Sequence, residues 1–200
     1  MDEPQTYAEA SQNKEWNETM EAELNALVRN DTWDLVNLPK GKEVIGTKWV
    51  YKTKYKLDGT IGKYKTHLVS KGYAQREDND YTKTFAPMEK LDTIRMVLSL
   101  ATQYKWTIFQ MDVKSTFLNG YVDEEIYVEQ PEGFEVPGKE DKVYRLKKDL
   151  YGLKQAPRAW YSRIDKYFPD HGLIKSLFEP NLYILQSSQD ILIVSLYVDY

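Results

Sequence analysis

The stretch TKWVYKTKYK-LDGT-IGKYKTHLVSKGY, residues 47–73, constrains this chain more than any other. Two alternating runs stand on either side of Asp58-Gly59, the strongest short-range signal for a β-hairpin. Side chains alternate along a strand, so Trp49, Tyr51, Thr53 and Tyr55 fall on one face of the first strand. In the second strand Lys63, Lys65, His67, Val69 and Lys71 share a face. A long hairpin with three lysines and a histidine on this face of its second strand is suited to gripping phosphates; a solvated lysine face is the other reading of the same residues.

Charge sharpens that choice. Residues 1–39 hold nine acids against two bases, whereas residues 40–76 hold ten bases against Glu43 and Asp58. The net charge of −4 hides this segregation. A compact basic segment in an otherwise acidic protein points to a local polyanion contact. Other classes drop out. The chain has no cysteine, which excludes disulfides, zinc–thiolate sites and thiol nucleophiles. His67 and His171 are too few for a histidine-rich metal site, so any metal would be a hard cation on oxygen ligands. No apolar run is long enough to span a bilayer, and MDEPQTYAEA has neither the basic start nor the apolar core of a secretory signal. A cytoplasmic protein with no membrane partner is the expectation.

Elsewhere the patterns are local and readable. Thr6 and Glu9 form a capping box that predicts a helix, and Trp16, Met20, Leu24 and Leu27 recur at helical spacing. NDTWDLVNLPKGK predicts a loop with a short strand. Asp92 is the expected N-cap of a helix with Ile94, Val97, Leu98 and Ala101 on its buried side. WTIFQMDV predicts a buried strand ending in Asp112. VDEEIYVEQ and KVYRLKK hold two short strands around a Pro- and Gly-rich loop. LYGLKQAPRAWYSRIDKYF predicts a turn and a helix with Trp160, Ile164 and Phe168 inward, ended or kinked by Pro169. NLYILQ and ILIVSLYVD predict a hairpin whose second strand is apolar enough to be buried on both faces.

Two of these strands end in a carboxylate, Asp112 and Asp199. A carboxylate at the end of an apolar strand is costly to bury without a charge or metal partner. If the strands are neighbours, the carboxylates converge and need a divalent cation between them, the arrangement of two-metal phosphoryl transfer. Read without that assumption, each aspartate caps its own strand end.

The strings FQMDVKSTFLNG, EIYVEQPEGFE, RLKKDLYGLKQAPRAWY and LYVD, in this order, resemble the reverse transcriptase of copia-type retrotransposons. The upstream NDTWDLVNLPKGKEVIGTKWVYKTKYKLDGTIGKYKTHLVSKGYAQ and DYTKTFAPMEKLDTIR resemble the same family, so the likeness covers nearly the whole chain. It implies an α/β (α+β) fold of the right-hand polymerase kind, an antiparallel palm sheet packed on helices with its last hairpin incomplete. Residues 1–38 would be an N-terminal helix and connector, 39–105 mainly fingers with the basic hairpin, and 106–200 a partial palm. The resemblance implies Asp112 and Asp199 as catalytic ligands of two Mg²⁺ ions. Phe117 matches the aromatic under the incoming sugar, where a bulky ring opposes a 2′-hydroxyl, though as a bare residue it is equally a core aromatic. Gln155 matches the glutamine near the incoming nucleotide, and Lys63 and Lys65 match the triphosphate contacts. RNA or DNA template-primer and deoxynucleotides would be the partners.

Three positions depart from the family pattern. His67 stands where an arginine is expected, and a histidine lacks the bidentate fork. Thr116 stands where alanine is common. Asp199 is followed by Tyr200, where the given sequence ends, instead of a second aspartate; a polypeptide lacking the return strand, thumb and RNase H domain is the expectation. The expectation is a chain that does not polymerise DNA by itself. A nucleic-acid-binding module without chemistry, and a decayed retroelement product, are the competing readings.

Overall fold

The structure, a computed structural model, describes residues 3–76, 80, 81, 84, 86, 87, 90–188 and 190–197. Among them lie four α-helices and eight strands in three antiparallel sheets.

Thr6 caps a short helix α1 (Tyr7–Ala10) by accepting from the Glu9 amide, but that helix stops after one turn. The expected single helix is split. Asn13 starts α2 (Lys14–Arg29) afresh, its side chain accepting from the Trp16 amide. An Asx cap satisfies an amide that a continuous helix would bond internally, so a well-placed asparagine competes with helix continuation. Trp16, Met20 and Leu27 are buried along α2 as their spacing predicted.

The hairpin forms as read: β2 (Thr47–Tyr55) pairs with β3 (Ile61–Ser70), with Gly59 at φ +80° in the connecting turn. Trp49, Tyr51 and Thr53 are buried, whereas Tyr55 lies beyond a register shift near the tip and is exposed. Helix α2 packs on this hairpin. Trp16 meets Tyr51 and Tyr64 edge to face at 5.4 and 4.5 Å, and the Tyr51 hydroxyl donates to the Met20 sulfur at 3.5 Å. A second sheet has the order β1 (Trp33–Val36), β5 (Val143–Leu146), β4 (Tyr127–Val128). It joins the first unit through Ile45, whose amide donates to the Tyr127 carbonyl at 2.8 Å. Trp49, Leu68, Phe117, Leu118, Ile126, Val128, Leu146, Leu150, Leu153 and Trp160 share one buried cluster with α2.

Helix α3 (Leu91–Tyr104) is capped at Lys90, so Asp92 sits inside the first turn and is not the N-cap. Of its expected stripe only Ala101 is buried; Ile94 and Val97 are half-buried and Leu98 is exposed. Helix α4 (Ala156–Asp170) carries Pro157 in its first turn, buries Trp160 and ends just past Pro169. The third sheet has the order β6 (Ile174–Lys175), β7 (Leu182–Gln186), β8 (Ile191–Ser195). Lys175 Nζ bonds Asp165 Oδ1 at 2.6 Å, and that carboxylate also accepts from the Tyr183 hydroxyl, which ties α4 to the sheet.

Two expectations fail in this half. WTIFQMDV forms no strand, and Phe109 and Met111 are 79% and 82% exposed. Strand β8 is formed but is not buried on either face along its length; Ile191 and Leu192 are exposed. Both failures have one cause. An apolar run becomes a buried strand only when a neighbour supplies ladder hydrogen bonds and a covering layer. Among the described residues nothing pairs with residues 106–113, and β8 stands at a sheet edge.

Candidate nucleotide site

The residues of interest gather around a side chain that sequence reasoning did not single out. Tyr151, in the turn before α4, lies between two of them: its ring is 4.9 Å from His67 and 4.8 Å, edge to face, from Phe117. Burial raises the Tyr151 phenol pKa most, and the carboxylates of Glu23 and Asp112 raise it further. Asp112 therefore bears electrostatically on the same spot although it is exposed on an irregular segment.

Local geometry makes this meeting possible. Ser115 adopts φ +52° and opens a single 3-10 turn, Thr116–Asn119, that turns Phe117 inward. The Thr116 hydroxyl closes the turn by donating to the Val113 carbonyl at 2.7 Å. The turn holding Tyr151 lies directly against the end of β3: the Ser70 amide donates to the Tyr151 carbonyl at 2.8 Å. Gly152 has φ +89°, and a Cβ there would stand 2.2 Å from the Ser70 carbonyl oxygen. A Cβ on Gly72 would stand 1.9 Å from the Gly152 oxygen. Only two glycines permit these backbones to pass so closely.

Gln155, at the N-terminal end of α4, is buried and accepts from Gln75 Nε2 at 3.0 Å. Gln75 in turn accepts from the Lys154 amide at 2.8 Å, so one glutamine clamps the other to the segment that follows β3. Among the described residues the Gln155 amide nitrogen has no hydrogen-bond partner. The side chain lines a cavity of about 530 Å³ with Tyr121, Asp123, Glu124, Arg158 and Ser162. A fixed acceptor and an unsatisfied donor at a cavity wall suit recognition of a polar ligand.

The other expected residues fare differently. His67 Nδ1 lies 3.1 Å from Glu23 Oε1, so its polar edge faces an acid from α2. Lys63 and Lys65 are exposed near the hairpin tip, directly opposite Lys54 and Lys52. With Lys48 they form a lysine-studded face on the side away from the buried aromatics. Phe117 is buried within the common core and Trp160 is a core residue. Asp199 lies outside the described residues. Among the described residues no three histidine or acidic side chains come together as a metal site. Asp112 is exposed on irregular backbone, and its expected metal-binding partner lies outside the described residues.

Comparison with known proteins adds an independent line. The profile of the family described as reverse transcriptase (RNA-dependent DNA polymerase) matches residues 30–200. The chain is 41% identical over 198 residues to the retrovirus-related Pol polyprotein from transposon RE2 of Arabidopsis thaliana, covering 98% of the chain and 14% of that protein. It is 43% identical over 201 residues to the Pol polyprotein from transposon TNT 1-94 of Nicotiana tabacum, covering 98% and 15%. A truncated transposon Ty1-A Gag-Pol polyprotein of Saccharomyces cerevisiae is 33% identical over 172 residues, covering 83% and 14%. The chain thus spans about one seventh of the length of these relatives. No solved structure matches it. No helix among the described residues is long and apolar enough to cross a membrane.

Proposed function

The chain belongs to the reverse transcriptase (RNA-dependent DNA polymerase) family of copia-type retrotransposon Pol polyproteins, and on that premise we propose that it is the nucleotide- and template-holding part of such a polymerase. Residues 39–105 act as fingers and 106–200 as palm. The observation that carries the reading is the meeting of Phe117, Tyr151 and His67 beside Gln155, with the Asp112 carboxylate bearing on the same tyrosine. Phe117 discriminates against a 2′-hydroxyl by bulk, and Tyr151 holds it from behind. Gln155 offers its free amide nitrogen to the incoming nucleotide. Lys63 and Lys65 meet phosphate through charge, which explains why the hairpin tolerates like charges across its rungs.

The same 200-residue polypeptide, on this reading, binds without polymerising. Phosphoryl transfer needs its carboxylates held to within about half an ångström, and Asp112 sits on exposed irregular backbone. A specific observation thus favours the second reading, a binding unit whose chemistry belongs to a larger assembly with Mg²⁺.

The test is anisotropy of a fluorescent deoxynucleoside triphosphate and of a labelled RNA/DNA duplex over a salt series, followed by primer extension. Binding should weaken steeply with salt and on substitution of Lys63 or Lys65 by alanine, with no extension product. Absent or salt-independent binding would sink the holding role. Template-dependent product that disappears with Asp112→Ala would sink the claim of inactivity.

A further inference from the structure

Asp149 is fully buried, and among the described residues neither of its carboxyl oxygens has a hydrogen-bond partner. It belongs to no part of the nucleotide site just described. Its backbone amide reaches the Gly120 carbonyl at 3.3 Å, and a Cβ built on Gly120 would stand 2.9 Å from Asp149 Oδ2 and 3.2 Å from both Ala159 Cβ and Trp160 N. The carboxyl group is therefore wedged where the Phe117 turn meets α4, the helix that begins beside Gln155.

A carboxylate with no donor cannot stay charged in such a place without large penalty. The charged groups around it offer no relief. From residues 121–124, Asp123 and Glu124 bear on it with the same sign. On its own segment Lys147 is drawn to Asp31 and Asp34. On α4, Arg163 donates to the Asn119 carbonyl at 2.7 Å, and Arg158 lines the cavity beside Asp123 and Glu124.

We infer that Asp149 is a positioning residue that seats the Phe117 turn against α4 only while its carboxyl group is neutral, which makes this seam pH-sensitive. Burial, and then Glu124 and Asp123, push its pKa up to about 8. The folded chain therefore binds a proton that the unfolded chain, with an ordinary carboxyl, has already released. Stability from this group is fully present below about pH 4 and is lost progressively as pH rises to about 8, where the folded form also ionises. Its effect on nucleotide handling rests on the function proposed above; its effect on folding does not.

The experiment compares thermal unfolding of the 200-residue chain with that of Asp149→Asn and Asp149→Ser between pH 5 and pH 9, with hydrogen exchange of residues 113–121 and 156–165. Both variants should gain on the wild type as pH rises, the gap in Tm widening by about 5 °C or more by pH 8 and then levelling. Protection of the two segments should fall with pH only in the wild type. Parallel curves, a wild type more stable than both variants throughout, or failure of both variants to fold would overturn the inference. A labelled deoxynucleotide supplies the separate readout, with affinity falling from pH 7 to pH 9 in the wild type and holding in Asp149→Asn. If no nucleotide binds at all, the proposed function fails while the melting curves still decide the role of Asp149.

Discussion

The hairpin unit and the region around residues 106–113 are built from similar raw material, yet they end in opposite states. In the first, Trp16 from α2 fits against Tyr51 and Tyr64, and the apolar face of the strands is covered. In the second, Phe109 and Met111 project into solvent, as do Leu192 on β8 and Phe178 before β7. Both segments offer apolar side chains for burial; among the described residues only the first has a neighbour that covers them. An apolar pattern states what a segment would bury, and burial follows only when a second surface of matching shape lies within reach.

The contrast is easiest to break at its strongest point. Trp16→Ala should destabilise the chain by about 3–5 kcal/mol, because it empties the space between α2 and the hairpin. Urea unfolding followed by far-UV circular dichroism measures this, and a loss under 1 kcal/mol would mean that α2 does not hold the hairpin. Next in size, Tyr183→Phe should cost about 1.5–3 kcal/mol by removing a hydrogen bond to the Asp165 carboxylate. That loss would show the third sheet to be held by polar contacts where the first unit relies on packing. The same urea titration reads it, and an unchanged midpoint would contradict the assignment.

A smaller effect carries opposite signs in two assays. Lys54→Glu places an acid opposite Lys63 and should stabilise the hairpin by about 0.2–1 kcal/mol. It should also weaken duplex binding and flatten its salt dependence, provided the lysine face meets phosphate. Stabilisation without any change in binding would mark that face as merely solvated. The least effect belongs to Phe109→Ser, expected within about 0.5 kcal/mol because the ring is 79% exposed. A loss above 2 kcal/mol would reveal a partner surface for residues 106–113 in solution.

Much of the fold was legible because its signals are local. Asp58-Gly59 and the alternation around it define the hairpin, and Pro157 with the spacing of Trp160, Ile164 and Phe168 defines α4. The break between α1 and α2 was also written locally, in Asn13, but the periodicity of the longer run masked it. The site was legible only in part. Phe117, Gln155 and His67 were marked by their motifs. Tyr151, which brings His67 and Phe117 together, and Gln75, which clamps Gln155, were not, because each acts across 80 or so residues of chain. Asp149 follows Lys147 and Lys148 in a charged run; nothing in a linear pattern says that a carboxyl group will lie beneath Gly120.

The sequence alone determined the family, the hairpin with its lysine face, and which residues were candidates, since all of these reside in residue order and short-range periodicity. Tertiary structure alone decided which apolar runs found a covering surface and which polar groups were left without partners. The physical reason is the same in both cases: burial and hydrogen-bond satisfaction are properties of pairs of surfaces, and a sequence specifies only one member of each pair at a time.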